Sequence, residues 1–217
     1  NTDALLGLAA VAQARRDTRT AMHYLTKARD LIDQAPDRLY KYSLIALNSG
    51  LRSDAVSSLK KAIQLRPSEP SYYFLLGIAW LQHPPELQEA EEAFRGTLKV
   101  RPEHAEAQLH LGYVLLKQRK YPDAREWLQK GIQRNQSKPE PFYYLGLIEQ
   151  EQNQTEKAIA LFERAIQLSP SFGNAHVALG AAYLKLKNYA RAQEELETGV
   201  KLNPGDSKAH YNLALLF

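Results

Sequence analysis

The sequence predicts an all-α chain, an α-solenoid built from antiparallel helix pairs, on three observations. A small residue recurs every 34 or 35 positions, at Ala9, Ser43, Gly77, Gly112, Gly146, Gly180 and Ala214. A second small residue, always alanine, follows twelve or thirteen positions later, at Ala21, Ala55, Ala90, Ala124, Ala158 and Ala192. No stretch alternates apolar and polar residues as a half-buried strand would. A fixed period of this length marks stacked repeats, each too small to bury its own apolar face alone.

Each unit reads as two helices of about a dozen residues joined by a short turn. The boundaries fall near 2–35, 36–69, 70–104, 105–138, 139–172 and 173–206, with a partial seventh unit at 207–217. The first helix carries the first small residue, preceded by leucine in Leu76-Gly77, Leu111-Gly112, Leu145-Gly146 and Leu179-Gly180. Glycine inside a helix costs up to about 1 kcal/mol, which close approach of a partner helix offsets. The residues expected to face Gly112, Gly146 and Gly180 are Ala124, Ala158 and Ala192.

The second helix carries its alanine, then a large residue four further on: Leu25, Leu59, Phe94, Leu128, Phe162 and Leu196. Three beyond these come Ala28, Ala62, Thr97, Gly131, Ala165 and Gly199. Spacings of four and three put each trio on one helical face. Proline closes most units, at Pro67, Pro102, Pro170 and Pro204, with Asp33 and Gln136 in the first and fourth. It ends one helix and lets the next begin. The extra residue of the third unit falls at His83-Pro84-Pro85, in a turn, where it shifts neither helix out of register.

The composition is that of an ordinary folded chain. Of 217 residues, 44% are hydrophobic and 24% charged, and 28 basic against 24 acidic side chains give a formal charge of +4. That excludes an acidic disordered tail. The absence of cysteine excludes a disulfide framework and a thiolate zinc site. No apolar run approaches the roughly 18 residues that cross a bilayer, so membrane insertion is not expected. The start Asn1-Thr2-Asp3 has no methionine and no basic leader region, so the chain reads as a piece of a longer protein. The sequence assigns no compartment, and cytoplasmic and bacterial periplasmic settings are both compatible with it.

The pattern resembles the tetratricopeptide repeat, W-x2-L-G-x2-Y, then A-x3-F-x2-A, then P over 34 residues. The fifth unit supplies Phe142, Leu145, Gly146, Ala158, Phe162, Ala165 and Pro170, with Glu149 at the remaining aromatic position. The sixth supplies His176, Leu179, Gly180, Tyr183, Ala192, Leu196, Gly199 and Pro204. The first two units depart most, Ala9 and Ser43 replacing the glycine and Tyr42 the leucine. The resemblance covers the whole chain. It implies a right-handed superhelix whose first helices line a concave groove, and a non-enzymatic role as a scaffold that binds a protein or peptide partner.

At about 100° per residue, the core stripe of each first helix (repeat positions 4, 7, 8 and 11) centres at about 30° and positions 5, 9 and 12 at about 150°. By the resemblance this second face lines the groove. Its residues are Tyr40, Leu44, Leu47; Phe74, Ile78, Leu81; Leu109, Tyr113, Leu116; Tyr143, Leu147, Gln150; and Val177, Ala181, Leu184. Tyr211 and Leu215 extend it, and Gln150 is the one polar residue among the fifteen. A helix apolar on two faces is buried on both or receives something. The expectation is a continuous apolar channel for an apolar or amphipathic segment; the alternative is that neighbouring first helices cover this surface themselves.

Two specialised groove chemistries of the resembling family do not fit. The clamp for a C-terminal carboxylate needs Lys, Arg or Asn, and positions 5 and 9 carry none. The asparagine ladder of sugar-transferring members needs Asn at position 6, which reads Gly7, Lys41, Leu75, His110, Tyr144, Ala178 and Asn212.

No catalytic residue, metal ligand set or cofactor site is expected. His104 and His110 are six apart and do not share a helix face, and His176 and His210 occupy a core-edge repeat position. Glu91-Glu92 and Glu194-Glu195 read as solvated faces without a nucleophile. Phosphate-loop and nucleophile-elbow strings are absent. The recurrent cations Lys27, Lys61, Lys130 and Arg164 are interleaved with Asp30, Glu126, Glu156 and Glu163, which argues against nucleic acid. Asp3, Asp37, Glu106 and Glu140 open first helices, where the helix dipole favours acids.

Two alternatives to a free-standing scaffold accompany this reading. One is a targeting or regulatory segment of a larger enzyme or of a machine handling glycans or envelope polymers. The other is self-association, with Leu213-Ala214-Leu215-Leu216-Phe217 leaving an apolar end for a homodimer.

Overall fold

The computed structural model describes residues 1–32 and 35–216, so Asp33 and Phe217 lie outside the described residues. Among them are thirteen helices and no strand. The first helices of the pairs are α1 (Thr2–Ala14), α3 (Pro36–Asn48), α5 (Pro70–Leu81), α7 (Ala105–Lys117), α9 (Glu140–Glu151), α11 (Gly173–Lys185) and α13 (Ser207–Ala214). The second helices are α2 (Thr18–Leu31), α4 (Arg52–Leu65), α6 (Leu87–Val100), α8 (Tyr121–Arg134), α10 (Thr155–Leu168) and α12 (Tyr189–Leu202).

The chain forms two compact units, residues 1–107 and 108–217. In the first, α1 packs on α2, α3 on α4 and α5 on α6, and α3 and α5 also rest on the preceding second helices α2 and α4. In the second, α9 packs on α10 and α11 on α12, while α9, α11 and α13 rest on α8, α10 and α12. Neighbouring first helices touch in both, α1 with α3, α3 with α5, α9 with α11 and α11 with α13.

The predicted core trio is the core. All six second-helix alanines are wholly buried, and so are Leu25, Leu59, Phe94, Leu128, Phe162 and Leu196 four residues on. More than the expected alanines meets the glycines, although at Gly180 the Ala192 carbonyl oxygen does lie 3.1 Å from where a methyl group would stand. A methyl group on Gly112 would lie 2.6 Å from the Leu128 side chain, and one on Gly180 2.6 Å from Leu196. At Gly146 it would run into the Phe162 ring. The glycine therefore makes room for the large residue one turn beyond the alanine, because the side chain reaches back along the helix toward its N-terminus. Where serine replaces glycine, the Ser43 hydroxyl donates to the carbonyls of Leu39, at 2.7 Å, and Ala55, at 3.2 Å.

The turn within a pair has one form in five units. Arg16, Gly50, Arg119, Asn153 and Lys187, all at repeat position 15, have φ between 59° and 79°. The next residue's N–H returns to the carbonyl five positions back, as Leu51 to Ala46 at 2.8 Å and Lys120 to Leu115 at 2.9 Å. This is the left-handed helix stop that closes orphan carbonyls. In the third unit Pro84 occupies position 15. Proline holds φ near about −65° and cannot make that stop. One additional residue carries the chain round instead, and Glu86 N–H closes on the Trp80 carbonyl at 2.8 Å.

Polar contacts tie consecutive pairs together. The Asp37 carboxylate on α3 accepts from the Tyr72 hydroxyl of α5 at 2.7 Å and from Arg66, just past α4, at 2.8 Å. Burial first, and then the hydrogen bond to Asp37, push the Tyr72 hydroxyl up to about 12. Burial likewise raises Tyr42 and Tyr144. A group whose folded pKa is raised stabilises the fold fully below its unfolded value, and that contribution is lost as pH rises through the folded one. Stability is therefore expected to fall from about pH 10 upward. Urea midpoints at pH 8, 10 and 11 measure it, and Tyr72→Phe is expected to flatten the alkaline fall; an unchanged slope would contradict this.

Candidate functional site

The groove residues predicted on the first helices divide between the two units. In residues 1–107, Tyr40 leans on Tyr72 with ring centroids 5.4 Å apart. Phe74 lies between Phe94, at 5.8 Å, and His104, which stacks on it at 4.9 Å. Leu47 is buried, and Leu44, Ile78 and Leu81 are half-buried. Packing within the unit thus covers much of this face.

In residues 108–217, Leu109 (8% exposed) and Val177 (7%) press against Gly131 and Gly199 of the paired second helices. Leu116 is also buried. Tyr113 meets Tyr144 in a tilted pair with ring centroids 5.0 Å apart. Tyr143 meets Phe162 at 5.9 Å and Phe172 at 5.2 Å. Burial raises the Tyr113 and Tyr143 hydroxyls, and the nearby charge of Asp206 raises Tyr143 further. Leu184 is half-buried, whereas Tyr211 is 66% exposed.

Five of these residues come together. Tyr143, Leu147 and Gln150 of α9 and Val177 and Ala181 of α11 line a cleft of about 440 Å³. Its remaining lining was not predicted: Asn174 and Ala178 of α11, Asp206, and Ser207, Lys208 and Asn212 of α13. These are largely repeat positions 2 and 6, three residues before positions 5 and 9 of the projection, and an i, i+3, i+4 reading would have reached them. The cleft is consequently amphipathic. The carbonyl oxygen of Gln150 is buried in it with no hydrogen-bond donor, whereas Asp206 is engaged in capping α13 through the Lys208 and Ala209 amides.

The polar residues weighed for other chemistry have structural partners. His176 sets Nδ1 2.6 Å from Glu195 and Nε2 3.0 Å from the Pro170 carbonyl, and His210 Nε2 lies 2.9 Å from the Pro204 carbonyl. The ring thus latches a first helix to the proline that ends the preceding pair. The reading of Glu91 and Glu195 as solvated needs correction. Glu91 is buried and pairs with Arg95 at 2.8 Å, and Glu195 meets His176. In each case a partner, on the same helix for Glu91 and on the paired helix for Glu195, offsets burial of the charge. Among the described residues no three His, Asp or Glu side chains converge as a metal site, and no helix is long and apolar enough to cross a membrane.

Two models of the Tetratricopeptide repeat match, over residues 86–139 and 149–216, together more than half of the chain. The chain belongs to the tetratricopeptide repeat family, a class of protein-binding, typically non-catalytic scaffolds. It is similar to the human "Protein O-mannosyl-transferase TMTC3", 25% identical over 172 residues, covering 76% of this chain and 19% of the relative. Across six such relatives the chain spans from 7% to 41% of the relative's length. Among solved structures, MamA 41-end from Desulfovibrio magneticus RS-1 is 26% identical with a TM-score of 0.71, over 81% of this chain and 98% of that one. YrrB, described as a TPR protein with an unusual peptide-binding site, is 20% identical with a TM-score of 0.66, over 86% of this chain and 96% of that one.

Proposed function

We propose that this chain is a non-enzymatic scaffold that captures an amphipathic segment of a partner protein on its first-helix face, through the cleft of α9, α11 and α13. The cleft of about 440 Å³ carries the reading, since it joins apolar side chains of Tyr143, Leu147, Val177 and Ala181 to polar Asn174, Lys208 and Asn212. An apolar residue of the segment covers the floor. A backbone N–H of the segment reaches the unsatisfied Gln150 carbonyl, whose isolation is costly while the cleft is empty. A peptide-binding site in the similarly folded YrrB supports the class of ligand. Of the remaining predicted positions, Tyr113, Leu184 and Tyr211 belong to the proposal as flanking surface of this unit, while Tyr40, Leu44, Phe74, Ile78 and Leu81 are proposed as a first-helix face of residues 1–107 taken by itself.

Ala181 is half-buried on this face, so Ala181→Glu puts a charge into the cleft without opening a cavity. Helix ellipticity is expected to be unchanged and segment binding to be lost. Retained binding by the folded variant would refute the cleft as the site, and unfolding would show this face to be packed.

A second reading is favoured by one observation, the similarity to a protein named an O-mannosyl-transferase of which this chain matches 19%. There the same scaffold would hold a protein for a catalytic part elsewhere in a longer chain, and sequencing the full gene distinguishes the two.

A further inference from the structure

We propose that the start of α4 and the turn from α5 to α6 form a second site, one that takes a carboxylate of a partner peptide. It lies wholly within residues 1–107, shares no residue with the cleft above, and stands independently of it.

The pocket is about 680 Å³ and is lined by Arg52 and Lys60 of α4, Trp80 of α5, and His83, Pro84 and Glu86 of the turn. Arg52 is fixed at one end, where Nη1 donates to the Pro84 carbonyl at 2.6 Å. Its guanidinium carbon lies 5.0 Å from the centre of the Trp80 ring. The other edge, Nε and Nη2, is buried and has no acceptor. Those two nitrogens are the side-on pair of parallel N–H donors, the edge that matches both oxygens of one carboxylate. Buried guanidinium donors are rarely left unpaired, since the water they give up must be replaced.

The surroundings select a negative ligand. Lys60 Nζ stands 5.5 Å from the centre of the same indole and has no acidic partner among the described residues. Leu51 caps α4 without a side-chain hydrogen bond, and the one acid of that first turn, Asp54, is engaged by Arg29 and Tyr42. Glu86 is the one acid lining the pocket, against Arg52 and Lys60. The indole and Val56 offer an apolar wall for the carbon chain that carries the carboxylate. His83 and Glu86, which line the pocket at the turn, are exposed.

The turn that builds this pocket is the one that departs from the repeat. The Pro84 carbonyl that anchors Arg52 belongs to the residue that replaces the left-handed stop. The turn that anchors the site thus differs from the other five turns among the described residues.

The test uses the whole chain in a Trp127→Phe background, which leaves Trp80 as the one tryptophan. The probes are acetyl-hexaglutamate amide, and acetyl-(Gly-Ser)3 with either a free or an amidated C-terminus. The expected result is a saturable change in Trp80 emission with a shift of the Arg52 Nε–H resonance. A response to the first probe identifies an acidic side chain as the source, and a response to the free but not the amidated terminus identifies a chain end. Arg52→Lys keeps the charge and removes the fork, and is expected to weaken binding at least about tenfold. Lys60→Ala, at an exposed position, is expected to weaken it less, and Glu86→Gln to strengthen it. No saturable response to either carboxylate probe overturns the proposal, as does unchanged affinity in both Arg52→Lys and Lys60→Ala. So does an Arg52 Nε–H resonance that moves on Glu86→Gln without peptide, because Glu86 would then occupy the fork itself.

Discussion

Phe162→Ala is expected to destabilise residues 108–217 by about 3–5 kcal/mol, the range for deleting a buried aromatic ring. The ring is wholly buried on α10, fills the space left by Gly146 on α9, and supports Tyr143 at the floor of the cleft. Urea unfolding with hydrogen exchange in α9 and α10 measures the loss. Gly146→Ala alone is expected to cost about 1–3 kcal/mol, because the added methyl collides with the ring. The two changes share one volume, so the double variant should be less destabilised than the sum. Strict additivity would contradict the packing described.

Arg125→Ala is the second large effect. Glu149 is 5% exposed on α9, and its carboxylate is held by Arg125 Nη1 from α8, whose Nη2 donates to Gln152 at 2.9 Å. Removing the cation strands a buried charge, a change worth about 3–5 kcal/mol in general. The Arg125 side chain is 32% exposed, so the lower end, about 3 kcal/mol, is expected. Removing both charges should be milder. Glu149 stands at an aromatic position of the repeat pattern, and Arg125→Ala with Glu149→Tyr is expected to recover most of the loss. Equal stability of the single and double variants would show that a stranded Glu149 charge is not the source of the loss.

What was legible in the sequence and what was not follows from the range of each interaction. The alanines and large residues of the second helices are wholly buried as their spacing requires, because a single helix face dictates them. The turns were less legible. Gly50 and Asn153 are suited to a left-handed position, but Arg16, Arg119 and Lys187 adopt it with no local signal, held by hydrogen bonds across the turn. Glu91 reads as solvated although Arg95 stands one turn on along the same helix, because its burial follows only from packing, and Glu149 reads as a departure from the pattern because its partner Arg125 comes from another helix. The groove projection was incomplete for a similar reason. It treated each first helix alone, whereas Gly131 and Gly199 draw Leu109 and Val177 inward, and α13 brings Lys208 and Asn212 to a cleft assigned to α9 and α11.

The central claim is that the first-helix cleft of residues 108–217 receives a partner segment. The most direct measurement places a photo-crosslinking residue at position 181 and, in a separate protein, at the exposed position 160 of α10. Each protein is exposed to a displayed peptide library, and the captured peptides are sequenced. Crosslinks from 181 to amphipathic peptides, with none from 160, are the expected result. Capture from 160 and not from 181 would contradict the account and move the binding surface to the second helices.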